Sequence, residues 1–569
     1  MNNLIKYTVI FVVLLSSCNF LEPYKDNTLV EEDILGSAAL AEGFLMHAYR
    51  QLPDGYEFSE VATDDAVSND PTNNIRRMGN GEWSQFFYPI GRWDEYEEIF
   101  YINKFLSIVD DVTWSTSETE SDLQKVRLKG ESYGLRAYYH FRILQAHAGM
   151  VDNQLMGIPI LDTFYETKEE VSIPRSSFED CINQIVEDAE KAIAVLPNEY
   201  VDVPDNDSAA AFGEHWENRF NRLAAMALKS RVLLWAASDA FNDNAGEQQI
   251  KWEAAALAAA AVIEEKGGID NAYFPGTYNA FWSDKTDPNI LWQRGDKDTR
   301  QNNTLEKDNF PPSLYGKGRI NPSQNLVDAF PKMNGYPIDS SQANYDSTQP
   351  YVSRDIRMDA FIVRHGGAIQ GSVISTITGE GGTGDGVNDR NTSTRTGYYL
   401  KKFLRDDVSI PPNQNSNQPH YLPYFRIDEV ILNFAEAANE VWGADVPVPG
   451  VGFSAVNAIS KLRFFMSGGD LYLNSVAAND DAIMRDLIRN ERRIQLCFEG
   501  FRFWDLRRWK STDLNTDVRG VKPYLDGSNI VYEPINQVEA RDFSAYPVYG
   551  PIPYNETLKY DNIRQNDGW

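Results

Sequence analysis

Apolar residues recur at i, i+3, i+4 and i+7 in several separate stretches, the spacing that lines one face of an α-helix. Leu128, Leu135, Tyr139, Ile143 and Ala146 form one stripe, and Ile182, Ile185, Ala189, Ile193 and Leu196 a second. Leu223, Ala227, Ser230, Leu234 and Ala237 make a third, rich in small residues, and the Ala-rich run 252–264 a fourth. Val430, Phe434, Ala437 and Val441 make a fifth, and the pattern over 483–509 predicts one long last helix. Pro197 closes the second stripe and Gly267-Gly268 the fourth, as helix ends require. Small residues on facing stripes permit close helix–helix approach. Paired helices of about 15–20 residues predict tetratricopeptide-like hairpins that stack around a shared core, although the strict signature of that repeat is absent.

Between 267 and 426 the pattern changes. The stretch is rich in Gly, Asn, Asp and Pro, with short apolar runs only, such as 289–292 and 372–377. This predicts loops with a few small strands, the kind of region in which binding function sits on a rigid scaffold. The last stretch, 511–569, reads as irregular. The expected fold class is mainly α: a helical scaffold over about 31–266 and 427–510, a loop-rich ligand face over about 267–426, and one domain spanning 18–569.

The N-terminus has a different logic. Lys6 precedes a short apolar run, 7–15, which falls below the roughly 18–20 residues that span a bilayer. Leu15-Ser16-Ser17-Cys18 follows and resembles a bacterial lipobox. That resemblance implies removal of 1–17 as a signal peptide and lipid attachment at Cys18. The other two cysteines, Cys181 and Cys497, lie within helical patterns and read as small buried hydrophobes, not as a disulfide framework.

The formal net charge is −30 and the pI about 4.6. Such a surface repels phosphate backbones, so nucleic acid is excluded as a partner, and no basic patch helps it onto anionic lipid. Gly379, Gly381 and Gly384 match the spacing of a dinucleotide turn, but no helical stripe follows them, so they read as a flexible loop. Asp202, Asp205 and Asp207 cluster, yet the EF-hand positions six and twelve counted from Asp205 are Ala210 and Trp216. Neither His-Glu-x-x-His nor Gly-x-Ser-x-Gly occurs. No cofactor, metal or catalytic site is therefore expected. With 83 acidic residues, a carboxylate pair suited to glycoside hydrolysis stays open as an alternative.

Residues 489–510 contain Asn490-Glu491-Arg492-Arg493, then Phe498-Glu499-Gly500, Arg502, Asp505-Leu506 and Arg508-Trp509. This ordered string resembles the C-terminal signature of the SusD/RagB-like family. Glu491, Glu499 and Asp505 are expected to pair with Arg492, Arg493, Arg502 and Arg508 in a packed interface, a structural role that keeps each acid ionised. Other segments resemble the family in order: 131–149 followed by Gly157-Ile158-Pro159, 178–197, 223–237, 328–338 with Asn334-Gly335, 425–440, and 457–463. The end, with Pro551-Ile552-Pro553 and Asn566-Asp567-Gly568-Trp569, matches as well.

The resemblance implies four tetratricopeptide-like helix pairs with a loop-rich face. It also implies a surface-exposed, lipid-anchored outer-membrane protein that binds oligosaccharide, or in some members peptide. Such a protein is a partner and lid of a SusC-like TonB-dependent transporter and not an enzyme. Aromatic faces on loops suit sugar C–H faces, with polar groups beside them for hydroxyls. On that chemistry the expected ligand contacts are Arg77, Asn80 and Trp83, together with Phe310 and Tyr315; Trp282 and Trp292, in apolar runs, are expected in the core.

Overall fold

Most helix starts in the scaffold are set by short polar side chains that take up free backbone N–H groups. Ser37 caps α1 (Ala38–Arg50), and α2 (Tyr96–Ile108) follows. Ser117 caps α3 (Glu118–His147) and Ser177 caps α4 (Phe178–Val195). Asn221 caps α5 (Arg222–Ala237) and Asn244 caps α6 (Ala245–Glu265). After α7 (Ile427–Trp442), Ser454 and Asn457 form a reciprocal capping box on α8 (Ala455–Leu462). Asp480 caps α9 (Asp481–Gln495), and α10 (Arg502–Arg508) comes last in the scaffold. The computed structural model describes residues 31–167, 170, 172–242, 244–276, 281–295, 301–546 and 548–569. Residues 1–17 and Cys18 lie outside the described residues.

Successive helices pack on one another: α1 on α2, α3 on α4, α5 on α6 and α7 on α8, with α2 on α3, α4 on α5 and α6 on α7 between the pairs. The fold is thus mainly α, built of tetratricopeptide-like pairs. One continuous core runs through them, including Leu45, Phe105, Tyr139, Ile185, Leu228, Ile263 and Ile431. Small residues set the spacing. A Cβ on Gly134 would stand 2.2 Å from the Phe220 ring, and Ala255, Ala256 and Ala437 fill the α6–α7 seam. Trp282, Trp292, Cys181 and Cys497 are all buried, as their apolar settings predict.

Two expectations are corrected. The long helix predicted over 483–509 is two. Phe498 and Gly500 take left-handed φ of 65° and 83° and break it. Lys402 Nζ donates to the carbonyls of Gln495 (3.0 Å) and Cys497 (2.9 Å), satisfying the open end of α9. Apolar positions continue across the break because α9 buries Leu487 and Ile488 in the main core while α10 buries Phe503 and Leu506 in a separate one with Trp83 and Phe543, so periodicity alone does not reveal it.

Likewise 511–569 is not irregular throughout. It carries the longest strands among the described residues, in the antiparallel hairpin completed by Asp526 opposite Asn529. Chain order gives six strands that matter here: β1 (Ala66–Ser68), β2 (Ile290–Gln293), β3 (Ile320–Pro322), β4 (Pro423–Arg426), and the hairpin β5 (Val518–Asp526) and β6 (Asn529–Glu539). β1 pairs with β3, setting Val67 opposite Asn321; β2 pairs with β4, setting Trp292 opposite Phe425. These two ribbons stitch the loop-rich region to the N-terminal loops and to the start of α7.

The signature acids are paired with cations, but mostly with partners outside their own stretch. Asp505 does pair with Arg492 and Arg508, each at 2.8 Å. Glu491 instead meets Arg357 and Arg463, and Glu499 meets Arg426 and Lys402. Arg493 reaches back to Asp64 and Asp65. Burial pushes the Glu491 and Glu499 carboxyls up, but these cations outweigh it and hold both below the usual carboxylate range.

Candidate functional site

The five residues expected to touch ligand do not form one site. Phe310 is fully buried, packed with Val363, Ile369 and Tyr399 in a small core. Trp83 is 7% exposed, edge-on to Phe503, Phe543 and Trp569, with the Arg507 guanidinium 4.2 Å above its ring. Both expectations are corrected: these rings are core. The Gly/Asn-rich setting of Trp83 hides the cause, because its cover arrives from residues more than four hundred positions later. Arg77 pairs with Glu82 at 2.6 Å, and Asn80, exposed, accepts from Arg541 Nη1 at 2.9 Å. Tyr315 is 63% exposed at a left-handed φ of 68°. None of the five lines the cleft formed at β1 to β4.

That cleft, of about 880 Å³, lies between the two ribbons. Ser68 and Ile320 come from β1 and β3; Arg294 follows β2 and Leu422 precedes β4. The turn 54–58 supplies one wall. Tyr56 lies flat on buried Phe403, centroids 3.6 Å apart and planes 14° off parallel, and its hydroxyl donates to the Tyr421 carbonyl at 3.3 Å. Phe58 and Tyr421 add two further rings. Tyr56 is thereby fixed against Phe403 where it lines the cleft.

Polar groups complete the lining. Asp70 accepts from Thr72 N (2.9 Å) and Thr72 Oγ1 (2.7 Å) and lies 3.5 Å from Arg319. The Thr72 hydroxyl and amide, with Arg319 beside them, hold the Asp70 carboxyl below its ordinary range. Asp308 pairs with Lys317 at 2.8 Å, and His420 Nε2 lies 2.9 Å from Glu306 Oε1. Arg294 Nη1 donates to the Leu52 carbonyl at 3.1 Å. The cleft therefore presents rings for apolar faces and a ring of donors and acceptors for hydroxyls. Its volume falls within the roughly 300–1,000 Å³ of small-ligand sites. Sequence reasoning missed it. The available signal was aromatic residues at tight turns, Gly55-Tyr56 and Tyr421-Leu422-Pro423.

A glycosidase needs a carboxyl kept protonated as its acid. Asp70 is held in the opposite state. Among the described residues, the two carboxyls that burial raises to about 7, Glu60 and Glu98, do not line this cleft. Asp205, from the acidic cluster of the sequence, caps the short helix Asn206–Phe212 through Ser208 N at 2.8 Å.

A mainly helical scaffold of stacked pairs with a polar, aromatic cleft on its loops defines the class, and comparison with known proteins places it. The profile of the SusD family matches residues 288–569, and a second profile, described as starch-binding associating with outer membrane, matches 19–234. The chain belongs to the SusD/RagB-like family. Among solved structures, a SusD-like protein from Bacteroides fragilis is 24% identical, with a TM-score of 0.74, covering 95% of this chain and 99% of its own. A SusD-like carbohydrate-binding protein from the same species is 21% identical, with a TM-score of 0.70, covering 93% and 100%. A laminarin-binding SusD-like protein is 20% identical, with a TM-score of 0.58, covering 94% and 100%. No curated protein sequence matches the chain significantly.

Proposed function

We propose that this protein captures oligosaccharide in the cleft between the two ribbons and hands it to a SusC-like TonB-dependent transporter. In this reading it is anchored by lipid on Cys18 at the outer face of the outer membrane and performs no chemistry on the glycan. The observation that carries the reading is the cleft itself. Tyr56, Phe58 and Tyr421 stand beside Asp70, Arg294 and Arg319, the pairing of flat apolar faces with hydrogen-bonding groups that a sugar ring demands. The family's glycan-binding members and the lipobox-like Leu15-Ser16-Ser17-Cys18 support it further.

The test is affinity electrophoresis of residues 19–569 in gels containing laminarin, starch, xylan or mannan. Retention by at least one glycan, lost in Tyr421→Ala and unaccompanied by new reducing ends, is the expected result. Wild-type mobility unchanged in every gel, or reducing ends that vanish on mutating one carboxylate, refutes it. Fractionation of cells carrying Cys18→Ala tests the anchor, since release from the outer-membrane fraction is expected.

A further inference from the structure

A second recess, of about 620 Å³, lies where the helix Tyr554–Lys559 and its flanks cross the start of α2 and the turn at Pro159. Tyr88, Trp93 and Tyr560 line it, all half-buried. Trp93 is fixed from behind by edge contacts with Tyr96 (5.3 Å) and His147 (5.4 Å). Tyr96 is itself locked, its hydroxyl donating to the Pro159 carbonyl at 2.7 Å. By contrast, among the described residues no protein partner meets the Trp93 indole N–H or the hydroxyls of Tyr88 and Tyr560. Glu556, bonded to Lys559 at 2.6 Å, and Asp94 stand at the same recess. Beside it, Phe86 and Tyr554 form an exposed ring pair, centroids 4.8 Å apart, with Phe86 69% exposed.

We propose that this recess is a second saccharide site, taking a few pyranose rings of a neutral glycan and prolonged along the surface by Phe86 and Tyr554. The inference rests on the glycan-binding reading above. Rings that keep their polar tips unmet suit a ligand with an apolar face and a hydroxyl edge. A purely apolar partner surface would bury those tips unpaired, which is costly. A proline-rich segment would offer carbonyls to the tips but few N–H donors to Asp94 and Glu556, whereas sugar hydroxyls both donate and accept. Two acids against one lysine, on a chain of net charge −30, disfavour uronate or sulfated glycans. Two sites on one molecule would also raise retention of a long polysaccharide by making the second contact intramolecular.

The experiment compares wild type, Tyr421→Ala, Trp93→Ala and Tyr560→Ala in the same four polysaccharide gels, with melting curves for each. Tyr560 is the control for Trp93, because its loss removes less packing. Both recess variants are expected to lower polysaccharide retention about 5- to 10-fold, with the Tyr560→Ala melt unchanged. Wild-type retention in Tyr560→Ala overturns the recess while leaving the main cleft standing. Retention lost in Tyr560→Ala but kept in Tyr421→Ala supports the recess and refutes the placement of function in the main cleft. Absence of retention in wild type refutes both. Retention of a proline-rich peptide resin that depends on Tyr560, without glycan dependence, assigns the recess to a protein partner and overturns the proposal.

Discussion

Arg508 and Glu436 meet at two points: Nη1 lies 2.6 Å from Oε1 and Nη2 2.7 Å from Oε2. Both side chains are buried, and the Trp509 indole N–H donates to the same Oε1 at 2.6 Å. The pair ties α10 to α7 across 72 residues of sequence.

Arg508→Ala leaves Glu436 and Asp505 as buried acids short of a cation. Breaking one side of a buried pair costs about 3–5 kcal/mol. Urea denaturation is expected to show a loss of that order. A midpoint matching wild type would show that the pair contributes nothing.

Glu436 gives the same interaction a pH signature. Burial pushes its carboxyl up, but Arg508, Arg492 and Arg489 outweigh that and bring it to about 2, below the reference 4.5. A depressed acid contributes stability that is full above the unfolded value and is lost as pH falls towards the folded one. The loss is on the order of 3 kcal/mol, between roughly pH 4.5 and 2. Melting of Glu436→Gln across that window is expected to be flatter than wild type, although lower at pH 7.

Glu60 carries the opposite sign. Burial raises it to about 7 against the lowering by the Gly500 N–H and Lys402, and its Oε2 has no hydrogen-bond partner among the described residues. Its contribution is full below about pH 4.5 and is lost as pH rises through 7, again on the order of 3 kcal/mol. Glu60→Gln is expected to gain on wild type steadily from pH 5 to 8 in thermal melts. A constant offset between the two curves would contradict the shift.

Trp83 behaves as core. Trp83→Ala removes a ring packed against Phe503, Phe543 and Trp569 and is expected to cost roughly 3–5 kcal/mol of stability. Calorimetric affinity for glycan, measured below the lowered melting temperature, is expected to stay at the wild-type value.

Arg319 tests the cleft from its polar side. Arg319→Ala removes donors at the cleft while leaving the helical pairs untouched, and a lost charged hydrogen bond costs about 1.5–3 kcal/mol. Affinity for the retained glycan is expected to fall about 10- to 100-fold with little change in melting temperature.

The helical half of the molecule was readable because its information is local. Stripes such as Leu128 to Ala146, stops such as Pro197, and caps such as Ser177 act within a few residues. The cleft was not, because it exists only once Ser68 meets Ile320 and Arg294 meets Leu422, contacts that no periodicity encodes. The failure of Phe310 and Trp83 has the same origin. A Gly- or Pro-rich neighbourhood shows that the backbone turns, but it does not show whether a distant segment will cover the ring. The break at Phe498–Gly500 left one legible trace, Gly500 itself, which the continuing apolar stripe masked.

The long reach of Arg493 to Asp64 and Asp65, more than four hundred residues back, sets an order of events for the growing chain. Helix pairs α1 to α6 find their neighbours as each emerges, since their contacts are close in sequence. Asp64, Asp65, Glu436 and the arginines that meet them cannot neutralise one another until residues 489–510 exist. Until then the loops that build the cleft carry uncompensated charge that resists burial, so collapse around them waits. The scaffold pairs form from contacts close in sequence, whereas the binding face closes only once residues 489–510 have reached the N-terminal loops.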